Sequence, residues 1–383
     1  MQKHKVGIIG CGVISRTYVA DIQSFYSALE ITSCAARNPE HAKRLADEFH
    51  IPNACTVEEL LADDEIEIVI DLTPPQMHEE INRKILQAGK HLFSEKPFAH
   101  TLKDAQAILS LAKEKSLFTG SAPDTFLSSG LQSVRYYLDA GMIGKPFFVT
   151  ANMTTFGVET WHPAPAPFYR KGAGPIYDMA PYYLSAIVSL LGPIRTITAL
   201  SACPNATRHV YTGPSAGEDV PVEVATHYSS VMQLESGVIV SFNISFDIYR
   251  SNLPMFEIYG DRGTLVYPDP NFGGGTPKVY RAEQYTDPAY NKTEEAMTRH
   301  DRFYDLPELF PRVKDYSRGI GVLDLAHSIE TGEENRTSPA FIAHITEAME
   351  GLIRSAETES TYRMTTACER PKPLHPGCAP DEV

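Results

Sequence analysis

Apolar residues follow two alternating rhythms over the first third of the chain. Short, nearly continuous apolar runs alternate with stretches whose apolar positions recur every three or four residues. The runs are Val6–Ile9, Glu30–Ala36, Ile66–Leu72, His91–Ser94 and Leu117–Ser121. Between them the spacing predicts helices over Ser15–Leu29, Pro39–Phe49, Glu58–Ala62, Met77–Ala88 and Leu102–Lys115. Strands with little polar alternation are buried on both faces, and alternating them with amphipathic helices builds a doubly wound parallel sheet. Residues 1–124 are therefore expected to form an α/β domain.

The rhythm changes after residue 124. A helix is expected over Gly130–Ala140, stopped by Gly141 and Gly144. Longer strands follow at Pro146–Gly157, Ile194–Ala202, Val224–Glu235, Val238–Ile248 and Met255–Gly260, with Glu235-Ser236-Gly237 as a hairpin turn. Trp161–Pro175 reads as a loop rich in proline, glycine and aromatics that could cover a site. Helices are predicted at Asp178–Leu191, Ile320–Thr331 and Pro339–Thr358. The pattern implies an α+β domain over 125–365 with a large, mostly antiparallel open sheet. Residues 366–383 read as a loosely held, proline-rich tail. Internal repeats and low-complexity tracts are absent from the sequence.

The first strand runs into Gly10-Cys11-Gly12-Val13-Ile14-Ser15 and then a helix. Strand, glycine turn and helix start, in this order, suit the pyrophosphate of a dinucleotide. Gly10 permits the turn, Gly12 lets backbone approach phosphate, and the helix start offers free N–H groups and a positive dipole end. Ser15 replaces the third glycine and is still small. The alternative is an ordinary tight turn between strand and helix. The second strand ends in Ala35-Ala36, followed by Arg37, without the acid that usually holds the ribose 2′-hydroxyl of NAD. Arg37 could pair with a 2′-phosphate, which favours NADP and leaves NAD possible; it could also be a solvated loop arginine.

Composition narrows the classes of partner. The 383 residues suffice for two domains, and 43% of them are hydrophobic, ordinary for a globular chain. A net charge of −14 argues against nucleic acid or an anionic membrane as partner. No apolar run is long enough to span a membrane and no secretory signal is recognised, so a cytoplasmic location is expected. Cys11, Cys34, Cys55, Cys203, Cys368 and Cys378 lack metal-ligand spacing and read as reduced thiols; no metal site is expected.

Two further groups carry potential chemistry. Ser94-Glu95-Lys96-Pro97 lies just past a parallel strand, at the edge where open α/β sheets bind ligands. Lys96 there, partly desolvated, would have a lowered pKa and could handle a substrate hydroxyl; otherwise it is a surface lysine before a proline. Gly172-Ala173-Gly174-Pro175 leads into a helix with Asp178 and Tyr182 one turn apart. They could face a site, or serve as an N-cap and a packed aromatic.

Together these pieces resemble the glucose–fructose oxidoreductase/inositol dehydrogenase (Gfo/Idh/MocA) family over nearly the whole chain. The resemblance extends to Ala36-Arg37-Asn38-Pro39-Glu40, to Thr73-Pro74-Pro75 with His78, and to Gly319–Gly332 followed by Pro339–Gly351. It implies a Rossmann domain with Gly10, Gly12, Val13, Ile14, Ser15, Arg37, Thr73, Pro74, His78, Glu95, Lys96 and Pro97 by the cofactor. It implies Lys96 as the catalytic lysine, Asp178 and Tyr182 as its partners, and Asp124 and His162 as further substrate contacts. Many members carry His where Tyr182 stands; some branches carry Tyr. An acid often found three positions later is Ser185 here, which departs from the family's usual sugar contacts.

The expected activity is NAD(P)-dependent hydride transfer at a secondary alcohol or ketone of a sugar, inositol or related polyol, with Tyr182 or Lys96 moving the proton. The substrate would be a small carbohydrate-like molecule. The alternatives are a non-catalytic dinucleotide sensor on the same fold and an NAD-dependent glycoside hydrolase. The resemblance also implies a homodimer or homotetramer joined through the open sheet face.

Overall fold

The computed structural model describes residues 2–286, 288, 289, 303–310, 313 and 315–376. Six strands make the first sheet: β1 (His4–Ile9), β2 (Leu29–Ala35), β3 (Asn53–Cys55), β4 (Ile68–Asp71), β5 (His91–Ser94) and β6 (Thr119–Ser121). Their order is β3-β2-β1-β4-β5-β6 and every pairing is parallel. The doubly wound sheet expected from the apolar runs is present. Helices Val13–Phe25 and Pro39–Phe49 pack on one face, and His78–Gln87 and Leu102–Glu114 on the other. The chain reverses direction across the sheet between β1 and β4, which opens a crevice at their C-terminal ends.

The second sheet contains β7 (Pro146–Thr154), β8 (Ile194–Ala202), β11 (His227–Leu234), β12 (Ile239–Ser245), β13 (Phe256–Gly260), β14 (Gly263–Tyr267), β15 (Lys278–Arg281), β16 (Tyr304–Asp305) and β17 (Tyr362–Arg363). A separate hairpin is formed by β9 (Thr207–His209) and β10 (Asp219–Pro221). The order is β16-β15-β14-β13-β7-β12-β11-β8-β17, antiparallel except for the central β12–β7 pair. Helices Ala180–Leu191 and Pro339–Thr358 cover one face. The other carries Leu200, Val231 and Ile239, all largely exposed, and the stacked rings of Phe148 and Tyr259. The short strands β3, β9, β10 and β14–β17 escaped the sequence reading, because two to five residues carry little periodicity.

Two expectations are corrected by packing. Helix Ile320–Thr331 was assigned by sequence position to the second domain. Its buried side chains Val322, Leu323, Leu325 and Ala326 join the core of the first. The proline-rich tail is held as far as Leu374 and is not loose there. Arg135 donates to the Pro371 carbonyl, Arg336 to that of Lys372, and the Leu374 N–H to Gln132, with Leu374 itself buried. The five described cysteines form no disulfide, and Cys378 lies outside the described residues. Among the described residues no helix is long and apolar enough to cross a membrane, and no cluster of three or more His, Cys, Asp or Glu is arranged to hold a metal.

Candidate active site

At the end of β1 the turn depends on Gly10. Its φ is +104°, and a Cβ there would lie 2.5 Å from the carbonyl of Leu72. Gly12 is extended, caps helix Val13–Phe25, and has open space where a Cβ would stand. The first turn of that helix carries no acid and no side-chain cap, so its N–H groups are free for an anion. Ser15 turns inward and donates to the Gly12 carbonyl at 2.7 Å. Val13 is 76% exposed beside the turn, an apolar surface for a ligand, while Ile14 is half-buried. Arg37, at the end of β2, is exposed, with no partner among the described residues. This cradle fits a dinucleotide.

The neighbouring strand ends are tied to one another. Asp71 closes β4 and accepts from the Thr73 N–H and hydroxyl at 2.9 and 2.6 Å. Pro74 is exposed beyond it. The His78 ring is buried, with its nitrogens 2.7 Å from the Pro97 carbonyl and 2.8 Å from the Thr73 carbonyl. It therefore pins the loop after β4 to the loop after β5 and presents no ring edge to the crevice. Glu95 is also turned inward, accepting from the Tyr18 hydroxyl at 2.9 Å and the Lys96 N–H at 2.9 Å. Both residues brace the loops that follow β4 and β5.

Lys96 reaches from the first domain to the second. Its Nζ donates to the Asp178 carboxylate at 2.7 Å and to the Asp178 carbonyl at 2.6 Å. A free carbonyl is available because the helix is broken there. The expected helix Asp178–Leu191 is instead a one-turn helix, Gly174–Asp178, followed by Ala180–Leu191. Pro181 cannot donate, and the Tyr182 N–H bonds to Met179 at 3.3 Å, leaving the Asp178 carbonyl to the lysine. Asp178 thus ends a helix and caps none.

Burial alone would lower the pKa of Lys96. Asp178, Tyr182 and Glu95 outweigh it, and the amine is held above its ordinary value. The lowering expected from sequence is reversed because the carboxylate partner stands within hydrogen-bond distance.

Tyr182 lies between two cations. Lys96 Nζ is 5.3 Å from its ring centre, and the buried Arg318 donates to its hydroxyl at 3.2 Å. Burial opposes the charge on Arg318, but Tyr182, Tyr316, Asp124 and Glu95 keep it firmly protonated. Asp124 is fully buried and accepts from the Gly319 and Gly321 N–H groups at 2.9 and 3.0 Å. It anchors the start of helix Ile320–Thr331. The sequence reading missed Arg318, although Gly319–Gly332 was noted; an arginine before a glycine carries no local signal of burial.

Beside Asp178 a cleft of about 450 Å³ opens over the second sheet. Phe156, Trp161 and Phe272 give it aromatic walls, and Asp178, Asp269 and Asn271 give it polar ones. Trp161 belongs to the loop expected to cover a site. His162, next to it, is half-buried, with Nδ1 accepting from the Ala164 N–H at 3.1 Å and its ring against Phe168. Burial lowers its pKa, so the ring is neutral near pH 7 and its proton sits on Nε2. It is not among the residues that line the cleft.

Comparison with known proteins agrees with this architecture. Residues 4–121 match the model of the oxidoreductase family with NAD-binding Rossmann fold (GFO_IDH_MocA), and residues 131–266 match the GFO/IDH/MocA C-terminal domain. The chain is 26% identical, over 90% of its length and 97% of the relative's, to dTDP-3,4-didehydro-2,6-dideoxy-alpha-D-glucose 3-reductase of Saccharopolyspora spinosa. It is 25% identical, over 70% of its length and 74% of the relative's, to levoglucosan dehydrogenase of Pseudarthrobacter phenanthrenivorans. The solved structure of a levoglucosan dehydrogenase in complex with NADH shares the fold with a TM-score of 0.78 at 21% identity, covering 95% of this chain and 100% of that one. With both domain models matched in sequence order on a Rossmann sheet and an open second sheet, this chain belongs to the Gfo/Idh/MocA family of oxidoreductases.

Proposed function

We propose that the protein transfers hydride between a nicotinamide dinucleotide, NADP(H) in preference to NAD(H), and a secondary alcohol or ketone of a sugar or related polyol. The observation that carries this reading is the Lys96–Asp178–Tyr182–Arg318 group, set past the end of β5 in the sheet whose glycine turn ends β1. The names of the relatives, a sugar reductase and a sugar dehydrogenase, support the substrate class.

Gly10, Gly12 and the start of helix Val13–Phe25 would hold the pyrophosphate, with Val13 and Ile14 beside it. Arg37 would pair with a 2′-phosphate, and the Thr73–Pro74 turn and the Lys96–Pro97 segment would flank the nicotinamide half. When bound, the nicotinamide takes up or returns the hydride. The chain's own residues handle the proton. Lys96, kept cationic by Asp178, orients the substrate oxygen as a donor. Tyr182 accepts its own hydrogen bond from Arg318, which leaves its O–H to exchange a proton with that oxygen.

The test is a panel of D-glucose, D-xylose, levoglucosan and myo-inositol with NADP+ and NAD+, followed by nicotinamide absorbance. Reduction of NADP+ with at least one sugar is expected. Absence of turnover across the panel, with the corresponding ketones and NADPH also inert, overturns the reading. Release of an aglycone from a glycoside without net reduction would favour a hydrolase instead.

A further inference from the structure

The family resemblance left one gap: the acid usually found three positions after the residue at 182 is Ser185 here, and Ser185 is buried with its hydroxyl unpartnered. The cleft supplies a carboxylate from elsewhere. Asp269 follows β14 and lines the cleft together with Asp178. Its Oδ1 accepts from the Tyr183 hydroxyl at 3.0 Å and from the Asn271 N–H at 2.9 Å. Both bonds fall on the same oxygen, and among the described residues Oδ2 has no hydrogen-bond partner, on a residue that lines the cleft. Tyr183 is fully buried and stacks on Phe242, so the tether is rigid. The neighbouring Asn271 amide oxygen lies 3.5 Å from Arg318 Nη2, which connects this end of the cleft to Tyr182.

We propose that Asp269 is the second substrate-contacting carboxylate of this cleft, and that it selects an uncharged sugar by accepting hydrogen bonds from its hydroxyls. The proposal deepens the reading given under Proposed function and rests on it for the reacting end. Three properties of the cleft point the same way. A fixed carboxylate with a free oxygen accepts from one or two neighbouring hydroxyls, the chemistry of a polyol. Trp161, 65% exposed on the wall, and Phe272 offer flat apolar faces to the C–H side of a sugar ring. Among the described residues that line the cleft there is no Lys, Arg or His, while two are Asp. A phosphate or nucleotidyl group would meet two carboxylates along this lining, the nearby Lys96 ammonium being already paired with Asp178, in a chain of net charge −14.

The chain has a single tryptophan, Trp161, and it stands in this cleft. Its fluorescence therefore reports occupancy without turnover. The protein is titrated with D-glucose, D-xylose, levoglucosan and D-glucose 6-phosphate, up to about 100 mM each, with NADPH bound and without. We expect a saturable change with at least one neutral sugar and none with the phosphate ester. Asp269→Asn keeps the bonds to Tyr183 and Asn271 but loses the charge, and should weaken that sugar's Kd about 10- to 100-fold with NADPH affinity unchanged. Tyr183→Phe, which releases the tether, should weaken it by a smaller factor and covers the case in which Asp269→Asn does not fold. Equal sugar affinity in the wild type and the folded variant overturns the proposal, and so does tighter binding of the phosphate ester. A Trp161 signal indifferent to all three neutral sugars overturns it as well. Asp269-dependent sugar binding without any reduction of NADP+ or NAD+ upholds this assignment and removes the oxidoreductase reading.

Discussion

Arg318 Nη2 donates to the Tyr182 hydroxyl at 3.2 Å, and its guanidinium carbon lies 5.4 Å from the centre of the same ring. The two residues are 136 positions apart in the chain. A phenol that accepts from a buried cation has its own O–H turned away from that donor. Arg318→Met should therefore lower kcat about 10- to 100-fold, because the hydroxyl is no longer held in place. Arg318→Lys should recover part of the loss. Unchanged kcat in a variant of normal melting temperature would show that the contact only packs the ring.

Tyr182 and Lys96 should be separable from cofactor binding, since both lie away from the glycine turn. Tyr182→Phe and Lys96→Ala should each reduce turnover about 100-fold or more. Affinity for NADPH, followed by its fluorescence, should hold within a few-fold. The double variant should be little worse than either single one, because the two side chains act on one oxygen. Full activity in Tyr182→Phe would assign the proton to another group.

Arg37 gives a direct test of cofactor choice. It is exposed at the end of β2, and no acid stands there to repel a 2′-phosphate. NADP(H) should bind more tightly than NAD(H), and Arg37→Ala should remove most of the difference, about 1–3 kcal/mol. Equal affinities in the natural protein contradict this.

The uncovered face of the second sheet should be an interface between copies of the chain. Leu200 and Val231 are 64% and 54% exposed on neighbouring strands, with Ile239 beside them. Exposed apolar side chains that share one face of a sheet of nine strands with short polar ones call for cover. Light scattering at micromolar concentration should give a dimer or tetramer, and Val231→Asp should shift it toward monomer. A natural monomer under these conditions refutes the expectation.

Stability should fall on mild acidification, partly through His344. Its ring is fully buried, accepts from the Ile194 N–H at 2.9 Å, and lies 2.9 Å from the Thr366 hydroxyl. Burial lowers its pKa from 6.5 to about 4. Between these values the unfolded chain binds a proton that the folded chain does not, so stability drops as pH falls. From about pH 7.5 to about pH 5.5 this site should cost about 1.4 kcal/mol in urea denaturation. In His344→Gln the pH dependence should be smaller by that amount; an identical slope in both proteins counts against it.

Local pattern carried much of this molecule. The runs Val6–Ile9, Glu30–Ala36, Ile66–Leu72 and His91–Ser94 hold strands that end at or one residue before the expected position, and the helices Pro39–Phe49, Ile320–Thr331 and Pro339–Thr358 have the bounds that their periodicity predicts. The glycine turn was legible because φ at Gly10 and the close approach of Leu72 restrict that position to one residue type. Lys96, Asp178 and Tyr182 were legible as types next to turns, and the chain does bring them together.

What each of them touches was decided by tertiary structure. His78, Glu95 and Asp124 were legible only as polar types near turns; the fold buries all three and bonds each to backbone groups that it holds in place. Lys96 looked like a lysine of lowered pKa until Asp178 arrived from 82 residues away. Arg318 and Asp269 gave no warning, because their partners Tyr182 and Tyr183 lie 136 and 86 positions distant. Periodicity and turn chemistry depend on neighbours along the chain, so sequence alone settles the elements. Charge state, exposure and hydrogen-bond partners depend on neighbours in space, and only the folding of one domain against the other supplies those.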